Sequence, residues 1–325
     1  EYLKKIKDWY RDMDGLHFHD MTPYQKFLIE RYGVDDSIPT SHKEVFFDIE
    51  IEMGGALTEE YIKSAPKPVT SIAWYFKQKD QWGILILDEE NQLERTKQGN
   101  KHIIPVKTES ELLSKFIELL RSIDPDILVG YNSDYFDIPY LYHRITNVLG
   151  DDWAKMMSPI GVVRDVSQWS KDKFLQIAGL ECLDYMLMHK KYSWKDEPSY
   201  KLDVLGEKYA GLKKIEYEGS LDRLFKEDIN KFIEYNFRDV EIMVEWDKKS
   251  QYLSLTKNLS HKGKINYSDV YASSKVHDGA ISSYLLSQNI IPPSRDKNPL
   301  IKKNYAGGYL FCPKAGLYQY MFDED

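Results

Sequence analysis

With 325 residues, 42% hydrophobic and 30% charged, the chain is long enough for a sizeable core and ordinary in composition for a globular protein. Its two cysteines, Cys182 and Cys312, exclude a disulfide framework or a cysteine zinc site and fit a reducing cytoplasm, and no apolar run approaches the ~20 residues of a membrane helix. The net charge of −8 argues against a uniformly basic binding protein, but it is uneven: Gln251 to Phe322 holds nine Lys or Arg against three Asp, and the body before it is strongly acidic.

In chain order, residues 2–11 and 22–31 have helical spacing, and a polar connector follows. Residues 44–52 read as a strand and Gly54-Gly55 as a loop. Residues 69–76 and 82–87 read as two further strands joined by a short polar hairpin. Leu112, Leu113, Phe116, Leu119 and Leu120 share one face of a helix over 110–121. A buried strand over 126–129 and a helix over 140–148 follow. Strands first, then strand–helix alternation, predict a mixed α/β domain with a central sheet. Residues 162–168 and 174–177 flank a polar tip, as in a protruding hairpin. Helices are expected over 183–190, 201–209 and 226–248, the last with acidic Glu227 and Asp228 at its start. Beyond Gln251 a helix over 273–287, Pro292-Pro293 and a Gly-rich aromatic stretch form a separate region.

Three remote segments carry carboxylates at informative spacing. In Phe47-Asp48-Ile49-Glu50-Ile51, alternation puts Asp48 and Glu50 on one face of a strand whose other face is apolar. Two carboxylates there repel each other and are costly to desolvate; a divalent cation with hard oxygen ligands removes both penalties, whereas a wet edge strand would avoid them. In the second segment a hydrophobic strand delivers Gly130-Tyr131-Asn132 and then Phe136-Asp137 ahead of a helix. Asp137 suits a helix cap as well as a ligand. In the third, Tyr235 and Asp239 are four residues apart on one helical face, where a phenol can orient a water beside the carboxylate. His17, His19 and Asp20 alternate like zinc ligands but have no companion cluster, and Asp184 and Asp203 read as helix-boundary carboxylates. The chain has no phosphate-cradling Gly-x(4)-Gly-Lys loop.

Taken in order, these segments resemble the exonuclease motifs of family B DNA polymerases, Asp-x-Glu, Asn-x(3)-Phe-Asp and Tyr-x(3)-Asp, especially in the replicative enzymes of large tailed phages. Leu183-Asp184-Tyr185, the run from Pro198 to Asp203 and that from Lys214 to Gly219 resemble the family too. Tyr305-Ala306-Gly307-Gly308 is similar to the family's linker between exonuclease and polymerase modules, and Gly316 to Asp325 to the strand entering the first polymerase motif. The resemblance implies an RNase H-like exonuclease domain over 44–250 with a hairpin near 162–177. It implies a remnant of the N-terminal domain over 1–43, a helical return to that domain over 251–296, and a linker with the start of the palm over 297–325.

It further implies a proofreading 3′→5′ exonuclease that uses two Mg²⁺ or Mn²⁺ ions held by Asp48, Glu50, Asp137 and Asp239. Tyr235 would aim the attacking water and Lys214 would steady it or the scissile phosphate. Implied DNA contacts are Asn132, Tyr135, Phe136, Trp169 and Lys171, with Tyr305, Gly307 and Gly308 in the linker. Asn132 has an alternative role in closing its own turn, and the hairpin an alternative as a partner surface. Expected partners are single-stranded DNA, frayed primer 3′ ends and the remainder of the polymerase, in cis or as a second chain, and no membrane; the expected place is the cytoplasm, that of the host for a phage-encoded chain. The chain alone is not expected to polymerise. Two other readings stay open: a free-standing nuclease of the same superfamily, and a non-catalytic or weakly active subunit of a split polymerase.

Overall fold

In the computed structural model the described residues are 23–33, 35, 37, 42–52, 54–168, 173–193, 195–290 and Gly316. The expected helix over 2–11, the His17–His19 pair, Trp169, Lys171, Tyr305, Gly307 and Gly308 lie outside them. The elements run α1 (Pro23–Tyr32), β1 (Glu44–Ile51), α2 (Glu59–Ser64), β2 (Val69–Phe76), β3 (Gln81–Leu87), β4 (Thr96–Gln98), β5 (Lys101–Val106), α3 (Glu109–Ile123), β6 (Ile127–Gly130), α4 (Asp137–Leu149) and α5 (Asp151–Lys155). They continue with β7 (Val163–Asp165), β8 (Leu175–Ile177), β9 (Glu181–Asp184), α6 (Tyr185–Tyr192), α7 (Leu202–Leu205) and a π-helical turn over Gly206–Ala210. Helices α8 (Leu221–Glu227), α9 (Ile229–Ser250), α10 (Tyr252–Gly263) and α11 (Ser273–Ser287) complete them. These elements belong to one compact unit, Thr22–Ile291.

Seven strands form a mixed sheet in the order β4-β5-β3-β2-β1-β6-β9. β2 sits near the middle and is buried at all eight positions, as its near-continuous apolar sequence requires. β1 pairs antiparallel with β2 along its length but parallel with β6 only over Glu44–Phe46. On one face of the sheet, Val45, Phe47, Ile49 and Ile51 of β1 meet Leu112, Leu113 and Phe116 of α3 and Ile138 and Leu141 of α4. On the other, Phe46 joins Phe232, Ile233, Val240 and Met243 of α9 in a second core. Helices therefore cover both faces, and the strand that carries Asp48 and Glu50 runs through the centre.

Several expectations need correction. Leu183 and Asp184, expected to open a helix, instead end β9, which pairs in parallel with β6 at the sheet edge; the helix begins only at Tyr185, capped by Asp184. The helix expected over 226–248 is two helices. Asp228 (φ −144°, ψ 77°) breaks the chain between them and caps the second by accepting from the Lys231 amide. The stretch 252–263 is helical, inside the region expected to be helical over 251–296, whereas strands β4 and β5 were not anticipated. The hairpin is present as β7 and β8, antiparallel with Val163 opposite Ile177. Among the described residues no helix is long and apolar enough to cross a membrane.

Candidate active site

Even positions of β1 face α9, so the alternation that buries Phe46 also presents Asp48 and Glu50 to that helix, opposite Ala73 and Ser71 of β2. α9 is fixed there by a buried bond between polar side chains: the Ser71 hydroxyl donates to Asn236 Oδ1 at 2.6 Å, both residues being 0% exposed. Asn236 in turn donates to the Phe232 carbonyl, one turn earlier in the helix. One residue before Asn236 stands Tyr235, and one turn beyond Tyr235 stands Asp239. The outcome is that Asp48, Glu50 and Asp239 each bring a carboxylate oxygen within 4.8 Å of the other two.

Lys214 closes the cluster from the loop after the π-helical turn. Its Nζ donates to Asp239 Oδ2 at 2.5 Å and to the Tyr235 hydroxyl at 3.0 Å. Burial alone would lower its proton affinity, but the charges of Asp239, Tyr235 and Asp48 raise it above the ordinary value, so the ammonium stays charged. Tyr217 packs edge-on against Tyr235 at 5.5 Å between ring centres. Glu52, next on the β1 face, is drawn away to Lys67 at 3.1 Å, past the cluster.

Asp137 is neither the helix cap nor a member of this tight trio. Phe136 occupies the cap position, and Asp137, only 3% exposed, accepts from the Ile49 amide at 3.3 Å. That amide lies between Asp48 and Glu50, so Asp137 braces the segment of β1 that β6 leaves unpaired. The turn that delivers it begins at Gly130, where an added Cβ would come 2.5 Å from the Ser133 Cβ and 3.1 Å from the Phe47 ring. Asn132 takes the left-handed conformation (φ 57°), donates its amide to Asp184 and accepts from the Tyr135 and Phe136 amides through its carbonyl, so its backbone closes the turn. The half-buried Tyr135 and Phe136 rest on Phe174 and Tyr140, with ring centres 5.0 and 5.5 Å apart.

The electrostatics are those of a cation site. Burial, then the charges of Asp137, Asp239 and Glu50, hold the Asp48 carboxyl well above the usual range. Burial and Asp239 push Glu50 up to about 8, and burial pushes Asp137 up to about 7. Asp239 is raised by burial despite Lys214. Hard carboxylate oxygens, mutually repelling and gathered from remote segments, fit Mg²⁺ or Mn²⁺. Sequence reasoning reached these carboxylates, Tyr235 and Lys214, but missed Asn236 and Ser71, whose only trace is an Asn on the buried face of a helix.

A mixed sheet covered by helices on both faces, with carboxylates along its central strand, is the architecture of the RNase H-like exonuclease domains. The family model for the DNA polymerase family B exonuclease domain matches residues 34–205, so the chain belongs to that family and carries its 3′→5′ exonuclease domain. It is 28% identical over 355 aligned residues to the DNA-directed DNA polymerase of Escherichia phage RB69, across 99% of this chain and 38% of the relative. It is 27% identical to the DNA-directed DNA polymerase of Enterobacteria phage T4 across 68% of this chain and 25% of the relative. The DNA polymerase of Thermococcus kodakarensis is 24% identical across 94% of this chain and 17% of the relative. The chain thus spans well under half the length of these relatives.

Proposed function

We propose that the chain removes nucleotides from the 3′ end of DNA at the Asp48–Glu50–Asp239 cluster, with two Mg²⁺ or Mn²⁺ ions and Asp137 completing the ligand set. The observation that carries this is the approach of carboxylates from β1 and α9 to within 4.8 Å of one another. Asp48, Glu50, Asp239 and Asp137 would hold such ions, whose charge would offset that on the attacking and leaving oxygens of an in-line displacement. Asp48 and Glu50 hold the site from the rigid sheet, and Asp239 holds it from α9. Tyr235 orients the attacking water through its hydroxyl, while Lys214, bonded to both Tyr235 and Asp239, fixes that hydroxyl and faces the scissile phosphate.

Tyr135 and Phe136, just before Asp137 in sequence, stack terminal bases in this reading, a contact worth about 1–3 kcal/mol per base. Asn132 contacts sugar or phosphate from the same turn. Trp169 and Lys171 of the hairpin and Tyr305, Gly307 and Gly308 of the linker supply further DNA contacts. The preferred substrate is a single strand or a frayed primer end, because a paired terminus must unpair to reach carboxylates set inside the fold. The remaining polymerase modules act with this chain in cis or as a partner chain. Digestion of 5′-labelled single-stranded DNA in Mg²⁺ tests the proposal, beside the Asp48→Ala, Glu50→Ala double variant. The expected result is a ladder shortening from the 3′ end, absent with EDTA and in the variant; no digestion by folded wild type in either Mg²⁺ or Mn²⁺ refutes it.

A further inference from the structure

Behind the turn that presents Asp137 lies a second tier of charged groups that takes no part in the cluster. Asp184, 1% exposed, is at once the cap of α6 and an anchor for that turn. Its Oδ1 accepts from the amides of Asn132 (3.0 Å), Met186 (2.9 Å) and Leu187 (3.3 Å), and its Oδ2 from the Asp134 amide (3.3 Å). Asp134 is itself 2% exposed and pairs with Lys173 at 3.3 Å. Lys173 is no surface lysine: its side chain is 17% exposed, and Nζ also donates to the Cys182 carbonyl of β9 at 3.1 Å.

Lys173 belongs to the second arm of the hairpin, just before β8. The neighbouring residue repeats the connection twice. The Phe174 amide donates to the Asp134 carbonyl (3.4 Å), and the Phe174 ring lies 5.0 Å from that of Tyr135. The ladder continues towards the hairpin tip through the Val166 amide, which donates to the Phe174 carbonyl at 2.8 Å. An ion pair, a backbone bond and a ring contact therefore tie one hairpin arm to Asp134 and Tyr135, just ahead of Asp137. A buried pair contributes geometry more than net stability, since desolvation offsets much of its attraction.

Resting on the exonuclease reading above, we infer that Lys173, through Asp134, is a positioning residue that couples the hairpin arm to the Asp137 end of the metal site. Outer groups that orient ligands typically change metal affinity by about 10–100-fold when removed. The inference is tested on the full chain with Mg²⁺ alone, titrated by calorimetry, and separately by the Mg²⁺ dependence of single-strand cleavage. Lys173→Met is expected to weaken Mg²⁺ binding about tenfold and to raise the half-maximal Mg²⁺ for cleavage equally, with Lys173→Arg restoring both. The double variant Lys173→Met, Asp134→Asn also removes the buried charge that Lys173 balances, so it keeps the test open where the single variant fails to fold, and it is expected to show the same loss.

In an Asp137→Asn background, Lys173→Met is expected to add little, because its effect passes through Asp137. Folded variants that bind Mg²⁺ as the wild type does, whatever their melting temperature, overturn the inference. So does a full tenfold loss added on top of Asp137→Asn. Wild type that binds Mg²⁺ but cuts no DNA defeats the exonuclease reading alone, and the calorimetric comparison still decides the coupling. Wild type that binds no Mg²⁺ overturns both.

Discussion

Replacing Glu50 by Gln should make the metal-free protein more stable while abolishing its proposed activity. Glu50 is held beside Asp48 and Asp239, and burial together with Asp239 raises its carboxyl from 4.5 to about 8. The folded state therefore binds a proton more tightly than the unfolded chain does. For a raised carboxylate the sign is fixed: stability is greatest below 4.5, falls as pH climbs from 4.5 to 8, and is lowest above 8. At roughly 1.4 kcal/mol per tenfold change in proton affinity, the full penalty on the ionised form is on the order of 5 kcal/mol. Solvent reaching this half-buried side chain and the nearby Lys214 ammonium screen part of it, so about 2 kcal/mol is expected for Glu50→Gln at pH 8.5. For a domain of this size that is a rise in melting temperature of about 4–8 °C. The assay is thermal denaturation in EDTA at pH 5 and 8.5, repeated with excess Mg²⁺. The gap between variant and wild type should widen with pH, and Mg²⁺ should stabilise wild type more than the variant. A variant no more stable than wild type at pH 8.5 without metal would refute the electrostatic account of the site.

Two further outcomes follow from the packing around the cluster. Gly130→Ala must displace Ser133 or the Phe47 ring, and is expected to cost about 1–3 kcal/mol in chemical denaturation and to slow cleavage by moving Asp137; an unchanged midpoint would show that the turn yields freely. The Ser71–Asn236 bond should give a coupling of about 1 kcal/mol in a cycle of Ser71→Ala and Asn236→Leu, and additive losses would mean that α9 is held by apolar contacts alone.

The parts of this molecule legible in its sequence are those fixed by local periodicity. The strand around Asp48, the largely apolar Val69–Phe76 and the helix ending at Ser287 lie where pattern alone puts them. The shared face of Asp48 and Glu50 and the one-turn spacing of Tyr235 and Asp239 follow from strand and helix geometry. What was not legible depends on partners remote in sequence. Glu181–Asp184 is too short to show a strand period, and only its pairing with β6 makes it one. Asp137 carries the ambiguity furthest: its place before a helix suggested a cap, but its bond goes to a strand amide that no local pattern reveals. The roles of Lys173 and Asp134 are invisible for the same reason, since a lysine after a polar hairpin tip ordinarily reads as solvated.

The separate origins of the acidic groups have a consequence for the life of the protein in a cell. Asp48 and Glu50 come from the first strand, Asp137 from the start of the helix after the sixth, and Asp239 from the long helix α9. A ribosome releases the first pair long before the last, and a chain clipped or melted between them keeps every carboxylate but not their proximity. The proposed hydrolytic centre is thus assembled only when α9 docks on the sheet. A half-made or cleaved copy therefore carries the acidic residues without the assembled cluster.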